Sequence, residues 1–310
     1  MFFGTAEFAV PSLERVSAAR HEIVLCVTQP DRPQGRGLGR QPSPVKQAAM
    51  RLGLPLAQPE RLEAALLEAL RPEIGVVAAY GQLIPGELLT LAPHGMLGVH
   101  PSLLPTYRGA APVAWALLNG ETTTGVTIFR LNERLDAGEI VLQETVAIEP
   151  HEDANALTGR LAQRGAEALA RALELVANDR VRVKPQDESQ ATVAPKLTKT
   201  QGRIDWRSPA ATLERLVRAT IPWPGAFTEW RGRALKVWRA VAGAAPERPA
   251  VPGTVVRVTD DTLEVATGQG TLGLVEVQPA GGRRMRVREF LTGHHIEVGE
   301  RLGVTRHSAR

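Results

Sequence analysis

The chain reads His100-Pro101-Ser102-Leu103-Leu104-Pro105-Thr106-Tyr107-Arg108-Gly109-Ala110-Ala111-Pro112 directly after a short apolar run at 96–99. An apolar run followed by a loop rich in proline and polar residues predicts a buried strand whose carboxyl end carries His100. Farther along, the sequence Leu135-Asp136-Ala137-Gly138 supplies a carboxylate. A carboxylate near an imidazole orients it and stabilises its charged form, so His100 and Asp136 are candidates for acid–base chemistry.

The segments around this stretch alternate apolar runs with helical patterns, which favours a parallel sheet with helices on both faces. Strands are predicted at 1–3, 22–27, 54–57, 74–78 and 96–99, with later β-rich segments at 125–130 and 140–148. Helices are predicted at 6–19, 44–51, 60–70, 85–91, 111–119 and 153–178. Ligands bind outside the carboxyl ends of the strands in open α/β sheets, so we expect His100 to line a cleft.

The length of 310 residues exceeds one average domain and predicts two. Periodicity is lost over 181–200, which we interpret as a linker between a domain at 1–180 and a domain at 201–310. The second domain contains short β-rich runs at turn-punctuated spacing, which predicts a small β-barrel. The strand before Gly4 is shorter than usual, and a start site assigned several residues too late would explain this.

Composition argues against several classes of protein. The single cysteine, Cys26, cannot form an intrachain disulfide and fits a reducing cytoplasm. His294 and His295 have no Cys or acidic neighbours at ligand spacing, so we assign no metal. The longest apolar run, around 74–80, is too short to cross a bilayer. We therefore expect a cytoplasmic monomer without membrane contact.

Charge is distributed unevenly along the chain. Residues 1–195 carry 18 Lys and Arg against 22 Asp and Glu, whereas residues 196–310 carry 19 against 11. A basic second half predicts a polyanionic partner, and a solvated arginine-rich surface explains the same counts equally well. Basic residues interleaved with aromatic ones suit nucleic acid, but we interpret the tryptophans of this half chiefly as core anchors. They are Trp206, Trp223, Trp230 and Trp238.

Single residues in this sequence allow ordinary structural interpretations. A histidine that follows a strand is more often a packing or hydrogen-bonding residue than a catalyst, and Ser-Leu-Leu-Pro alone is more often a plain loop. Gly4 follows the first strand but lacks the further glycines of a dinucleotide-binding fingerprint, so a phosphate-cradling loop is not expected. Only the combination of segments favours chemistry at His100.

Taken together, the segments resemble the folate-dependent formyltransferases over nearly the whole chain. In the first half the matching segments are Phe3-Gly4-Thr5-Ala6-Glu7-Phe8-Ala9-Val10-Pro11, Thr28-Gln29-Pro30-Asp31-Arg32-Pro33-Gln34-Gly35-Arg36-Gly37, Ser43-Pro44-Val45-Lys46, Ala78-Ala79-Tyr80-Gly81 and 100–112. In the second half they are Arg203-Ile204-Asp205-Trp206, Trp223-Pro224-Gly225-Ala226-Phe227, Lys236-Val237-Trp238 and Gln278-Pro279-Ala280-Gly281. The resemblance implies an α/β fold, with a Rossmann-like formyltransferase domain followed by an OB-like β-barrel domain. It is strongest for the members that act on initiator methionyl-tRNA, which implies 10-formyltetrahydrofolate as the formyl donor and the methionyl α-amino group as the acceptor.

The resemblance also implies the residues of the site. His100 and Asp136 match the catalytic histidine and aspartate of the family. Gly98 stands where the family has a catalytic asparagine, so one donor to the developing oxyanion is missing, at a cost of about 3 to 4 kcal/mol. A bound water could fill part of this gap, since the glycine leaves room for one. The residues that match the folate-contacting segments are Ser102, Leu103, Leu104, Pro105, Ala79, Tyr80 and Gly81.

The loop at 29–44 resembles the family's loop that reaches the acceptor end of tRNA. Arg36 falls at the matching arginine, and Arg32 and Arg40 flank it. Guanidinium groups suit contacts with phosphates and base edges, and an ordinary surface loop is the alternative interpretation. Lys46 and Arg203 complete the predicted tRNA contacts, and Lys46 is equally well explained as a solvated residue.

Two other functions stay open at this point. A formyltransferase that acts on a nucleotide precursor or an amino sugar would share the histidine loop and Asp136, but it would not need the Arg36 loop or a basic second domain. A weakly active or non-catalytic relative that binds folate or tRNA would explain the loss of the asparagine at Gly98.

Overall fold

We describe a computed structural model of the protein, covering residues 1–19, 21–34, 39–63 and 67–303. The chain divides into two compact units. The first consists of Met1–Pro112, Thr122–Ile148 and Ala156–Pro195, and the second of Val113–Glu121, Glu149–Asn155 and the chain from Lys196 onward. The domain limits predicted at residues 180 and 200 stay predictions.

Two groups of strands belong to the first unit. They are β1 (Phe2–Gly4), β2 (Cys26–Val27), β3 (Arg32–Gln34), β4 (Gly39–Gln41), β5 (Leu56–Ala57), β6 (Gly75–Ala78), β7 (Met96–His100), β8 (Thr123–Arg130) and β9 (Ile140–Ala147). β3 and β4 form an antiparallel pair of their own, and the others form a sheet of order β5-β2-β1-β6-β7-β8-β9. The strands from β5 to β7 are parallel, whereas β8 and β9 are antiparallel additions.

Helices connect these strands along the chain. They are α1 (Val10–Ala18), which follows a 3-10 turn at Glu7–Ala9, α2 (Pro44–Arg51), α3 (Gly86–Leu89), α4 (Pro112–Asn119) and α5 (Ala154–Ala177). All of α4 except its first residue belongs to the second unit. Ser43 caps α2 because its Oγ accepts a hydrogen bond of 3.0 Å from the Lys46 amide, and proline follows at the first helical position. The helix predicted at 60–70 includes residues 64–66, which lie outside the described residues.

The strands at the centre of this sheet are buried. Every residue of β1 and of β7 is buried, as expected for strands that are covered on both faces. The α5 helix packs closely on β7 at Gly165, where a β-carbon would lie 2.9 Å from Cγ1 of Val99. These features confirm the predicted Rossmann-like α/β architecture. The strand order reverses between β1 and β6, which is where ligands bind in open sheets of this kind.

The second unit is built on antiparallel strands. Its elements are α6 (Ala210–Ala219), β10 (Ala226–Trp230), β11 (Arg233–Gly243), β12 (Val255–Val258), β13 (Leu263–Ala266), β14 (Thr271–Pro279), β15 (Met285–Arg286) and α7 (Val287–Gly293). The sheet order is β10-β11-β14-β13-β12, and β15 pairs with β14. Val237, Leu272 and Phe290 are fully buried in its core. The structure therefore confirms a small antiparallel β domain, and its closure into a barrel stays a prediction.

The tryptophans of the second unit occupy different environments. Trp206 is buried in the core, as predicted, and its Nε1 donates to the Thr228 hydroxyl at 3.0 Å. The interpretation of Trp223 as a core anchor is wrong, because it is 53% exposed. Trp238 is half-buried, with the guanidinium of Arg284 5.1 Å from its ring centre.

Among the described residues, no helix has both the length and the apolar character needed to cross a lipid bilayer.

Candidate active site

His100 is the last residue of β7 and lies opposite Thr127 of β8. Its side chain is buried, and its Nε2–H donates a hydrogen bond of 2.9 Å to the carbonyl of Tyr107. A carbonyl only accepts, so this bond places a proton on Nε2 and leaves Nδ1 free to take up a second one. The loop that follows the strand therefore fixes the orientation of the imidazole.

Asp136 faces the other ring nitrogen of this histidine. Its Oδ2 lies 3.7 Å from Nδ1 of His100 and accepts a hydrogen bond of 2.8 Å from the Gly109 amide. The backbone of Asp136 is left-handed, with φ of 49°, and Tyr107 has φ of 61°. Strain of this kind at non-glycine residues is concentrated at functional sites. A second proton on the imidazole would point at the carboxylate, which suits a histidine that accepts a proton during a reaction.

Gly98 lies opposite Phe129 in the ladder between β7 and β8. A β-carbon at residue 98 would lie 2.4 Å from Cε1 of Phe129 and 2.6 Å from its Cζ. The expectation of a bound water beside Gly98 is therefore wrong, because the buried Phe129 ring fills that space. The ring also contacts His100 edge to face, with ring centres 6.4 Å apart.

The loop after His100 bonds mainly to the protein itself. The Ser102 hydroxyl is buried and donates to the Thr106 carbonyl at 2.6 Å. The Thr127 hydroxyl donates to the Ser102 carbonyl at 2.7 Å and accepts from the Leu104 amide at 3.2 Å. Gln143 donates to the Leu104 carbonyl at 2.9 Å. These bonds hold the loop in place and leave Leu103 and Pro105, both half-buried, as its accessible apolar surface.

The segment Ala79 to Gly81 follows β6 at the reversal of the strand order. Ala79 and Gly81 are exposed, and both have positive φ, 42° and 79°. Tyr80 between them is buried, and burial raises the pKa of its hydroxyl to about 12. Its carbonyl accepts from the Thr5 hydroxyl at 2.7 Å and from Gln29 at 2.8 Å. The segment thus presents a short rigid edge at the position where a ligand is expected.

Gln186 is a site residue that sequence reasoning missed, because it lies in the segment interpreted as a linker. Its Nε2 donates to the carbonyls of Asp136 at 2.8 Å and Gly138 at 2.7 Å. Its Oε1 accepts from Nε of Arg108 at 3.0 Å and from Nη2 at 2.7 Å. One amide therefore ties the loop after His100 to the loop that carries Asp136. No local sequence signal marks a contact of this kind.

Arg108 forms a second connection between the segment at 181–200 and the site. It is buried, and its guanidinium donates to both carboxylate oxygens of Glu188, at 3.1 and 3.0 Å. Arg134 also donates to Glu188, at 2.6 Å. The hydrogen bonds from Arg108 and then Arg134 lower the pKa of the Glu188 carboxyl to about 2.

The predicted tRNA contacts fall in several places. Arg32 and Arg40 are exposed on the paired strands β3 and β4, and Arg36 lies outside the described residues. Lys46 donates to Asp31 at 2.7 Å, and this bond is the main cause of the lowered pKa of Asp31. Arg203, in the second unit, is exposed and lies 3.4 Å from Glu229. Lys46 is thus paired, whereas the arginines of the β3–β4 pair face solvent.

Among the residues that the structure describes, no three His, Cys, Asp or Glu side chains cluster in a way that could hold a metal ion.

Comparison with known proteins assigns the chain to a family. Residues 1–173 match the family model described as formyl transferase, and residues 196–295 match the formyl transferase C-terminal domain. This chain belongs to the formyl transferase family. A relative from Chloroflexus aurantiacus named methionyl-tRNA formyltransferase is 47% identical over 97% of this chain and 99% of its own length. A relative of the same name from Alkaliphilus oremlandii is 43% identical over 98% of this chain and 99% of its own length.

A solved structure shares the fold. The N-formyltransferase from Helicobacter canadensis, determined in complex with folinic acid and dTDP-3-aminofucose, matches with a TM-score of 0.67. The match covers 88% of this chain and 97% of that one at 14% identity. At this identity the likeness establishes the architecture only.

The pairing of Glu188 predicts a pH-dependent stability. Because the folded pKa of about 2 lies below the ordinary value of 4.5, the pairing stabilises the fold above pH 4.5 and is lost as the pH falls toward 2. Urea unfolding should therefore show Glu188→Gln to be less stable than the wild type at pH 7, with the difference shrinking steadily below pH 4.5. Glu87→Gln removes the same charge from an exposed residue of α3 and is the control. A difference for Glu188→Gln that is constant with pH would contradict this assignment.

Proposed function

We propose that this protein transfers the formyl group of 10-formyltetrahydrofolate to the α-amino group of methionine on initiator methionyl-tRNA. The observation that carries the proposal is the pairing of His100 Nδ1 with Asp136 Oδ2 at 3.7 Å, in a site where Nε2 is already held by Tyr107. The names and near-complete coverage of the relatives at 43% and 47% identity support the same substrate.

The chemistry requires two tasks from the protein. The bond from the formyl carbon to the amino nitrogen forms while the bond to the donor nitrogen breaks, and one proton passes from the amine to the departing nitrogen. His100 serves as the acid–base group, because its Nδ1 takes up the amine proton and Asp136 stabilises the resulting imidazolium. Because the Nε2–H of His100 is already donated to the Tyr107 carbonyl, backbone amides are left to stabilise the negative charge that develops on the formyl oxygen.

The donor is bound along the carboxyl edge of the sheet. Ala79, Tyr80 and Gly81 provide backbone groups on one side, and Ser102 to Pro105 form the other side. The exposed positions of Ala79 and Gly81 and the half-buried side chains of Leu103 and Pro105 fit a flat aromatic ring with a polar edge. The complex of the Helicobacter canadensis N-formyltransferase with folinic acid, on the same fold, supports a folate ligand.

The tRNA is held by two sets of basic residues. Arg32, Arg36, Arg40 and Lys46, all within the catalytic domain predicted at 1–180, contact the acceptor end of the tRNA. The basic second part at 201–310, with Arg203, contacts the phosphate backbone without reading sequence, and 181–200 joins the two. Formylation of initiator tRNA places the protein in the cytoplasm, and we propose that it works there as a monomer.

Removing either member of the pair tests the mechanism. His100→Ala and Asp136→Asn should each lower kcat for formylation of charged initiator tRNA by about 10²- to 10⁴-fold, because the first removes the group that transfers the proton and the second removes the charge that stabilises the imidazolium. Initial rates with 10-formyltetrahydrofolate measure the effect. His94→Ala is the matched control, since His94 is an exposed histidine just before the start of β7, whereas His100 is at its end.

The same assay separates the alternatives. Wild-type protein that binds folate and tRNA but gives no product would support a non-catalytic binder. Product formed with a nucleotide-linked amino sugar, and none with methionyl-tRNA, would support a small-molecule formyltransferase. Either result would refute the proposed acceptor.

The arginines of the β3–β4 region give a separate prediction about tRNA. Replacing Arg32, Arg36 and Arg40 together by alanine should raise KM for methionyl-tRNA and flatten its salt dependence, because phosphate contacts release counterions. KM for the folate donor should stay unchanged. A set of exposed arginines elsewhere, Arg15, Arg61 and Arg164, is replaced as a control. An equal rise in both KM values would show that this region does not act on tRNA specifically.

Gln186 yields a prediction about positioning. Gln186→Ala should lower kcat by about ten- to a hundredfold, because Asp136 loses the bond that fixes its strained backbone. Gln186→Glu keeps an acceptor for Arg108 but cannot donate to the carbonyls of Asp136 and Gly138, so it should be impaired as well. Gln190→Ala, which removes an exposed bond to Asp187, is the control. Wild-type kcat in Gln186→Glu would mean that donation to the Asp136 loop is unimportant.

A further inference from the structure

Gly98 and His100 lie on the same face of β7, because side chains alternate along a strand. On that face, Phe129 of β8 stands directly opposite Gly98 and diagonal to His100. Directly opposed side chains on neighbouring strands have β-carbons only about 4.5 to 5.5 Å apart. A large ring at residue 129 therefore needs an empty position at residue 98 if it is to lie across the strand.

The distances show that the ring uses this empty position. A β-carbon at residue 98 would be 2.4 Å from the Phe129 ring and 2.9 Å from Cδ1 of Leu131. Carbon atoms that are not bonded pack at about 3.5 to 4.0 Å, so no side chain fits there unless the ring moves. The ring has little room to move, because Phe129 is 4% exposed.

Phe129 also completes the set of contacts around the imidazole. Tyr107 holds Nε2, Asp136 faces Nδ1, and the Phe129 ring meets the imidazole at an interplanar angle of 90°. Edge-to-face contacts of aromatic rings at this separation are attractive and directional. The aromatic contact adds a packing constraint to the two polar contacts and so restricts rotation of the imidazole further.

We propose that Phe129 is a positioning residue for His100 and that Gly98 is present because Phe129 requires it. The inference rests on the proposed function, in which His100 carries the proton. In this site an aromatic ring takes the volume that a side chain at residue 98 would fill, and the imidazole is aligned by that ring. It follows that Gly98→Asn alone does not improve the enzyme, since the asparagine displaces the ring from His100.

A double-mutant cycle tests this pairing. Gly98→Ala should lower kcat by about tenfold or more while KM for the folate donor changes less than about twofold, because the methyl group pushes the ring and misaligns the imidazole. Phe129→Leu should lower kcat by a similar factor. In the Phe129→Leu background, Gly98→Ala should cost little further, because the ring it displaces is already gone. A loss of kcat in the double variant equal to the product of the two single losses would overturn the proposal.

The control separates positioning from general packing. Gly75 is a buried glycine at the start of β6, and a β-carbon added there would lie 2.7 Å from Cγ of Met96. It lies at the amino end of the strands, whereas His100 lies at the carboxyl end. Gly75→Ala should reduce the stability of the fold without lowering kcat of the folded fraction. A loss of kcat equal to that of Gly98→Ala would show that crowding anywhere in the sheet has the same effect.

A measurement without turnover keeps the inference independent of the acceptor. The imidazole proton signals of His100 in NMR spectra of the full chain should shift in Gly98→Ala and in Phe129→Leu, because the ring current of Phe129 changes. Unchanged signals would refute the positioning role even if methionyl-tRNA is formylated, whereas shifted signals in a protein that formylates nothing would refute only the proposed function. If Gly98→Ala does not fold, recovery of folding in the double variant supports the pairing, and failure of both overturns it.

Discussion

The antiparallel register of β8 on β7 is the constraint on which the site depends. It sets Thr127 opposite His100 and Phe129 opposite Gly98. The Thr127 hydroxyl then bonds the Ser102 carbonyl and the Leu104 amide, so the loop after the histidine is tied to the neighbouring strand. A slip of one residue would turn both side chains to the other face and leave the loop and the imidazole without these partners.

Hydrogen bonds from the polar segment at 186–192 hold the strained backbone of the site. Tyr107 and Asp136 have left-handed backbones, which cost about 1 to 3 kcal/mol each. The Tyr107 amide donates to the Thr192 hydroxyl at 2.8 Å, and Gln186 holds the carbonyl of Asp136. Hydrogen bonds from one stretch of chain therefore offset the strain in two loops. This segment has neither periodicity nor apolar character, yet its hydrogen bonds make it part of the candidate site.

The basic surface of the second unit is largely made of arginines that are already paired. Arg207 pairs with Asp205, Arg231 with Glu300 and Arg284 with Glu276. Ion pairs at the surface contribute only about 0 to 1 kcal/mol, so a guanidinium exchanges a carboxylate for a phosphate at little cost. The excess of basic over acidic residues beyond 195 makes the electrostatic potential of this part positive. Because the individual ion pairs are weak, the arginines stay able to bind another anion.

The sequence by itself determined the features that depend on neighbouring residues. Alternation of apolar runs with helical periods specified the parallel sheet, the Ser43 cap began α2, and the apolar run before His100 placed the histidine at a strand end. The tertiary structure alone decided that Phe129 fills the space over Gly98, that Gln186 joins the two loops and that Trp223 is exposed. Each of these depends on strand register or on contacts between distant segments, and no local pattern of residues encodes such a contact. The sequence therefore identified His100 and Asp136 as candidates, whereas the side chains that surround them were identified only in the folded chain.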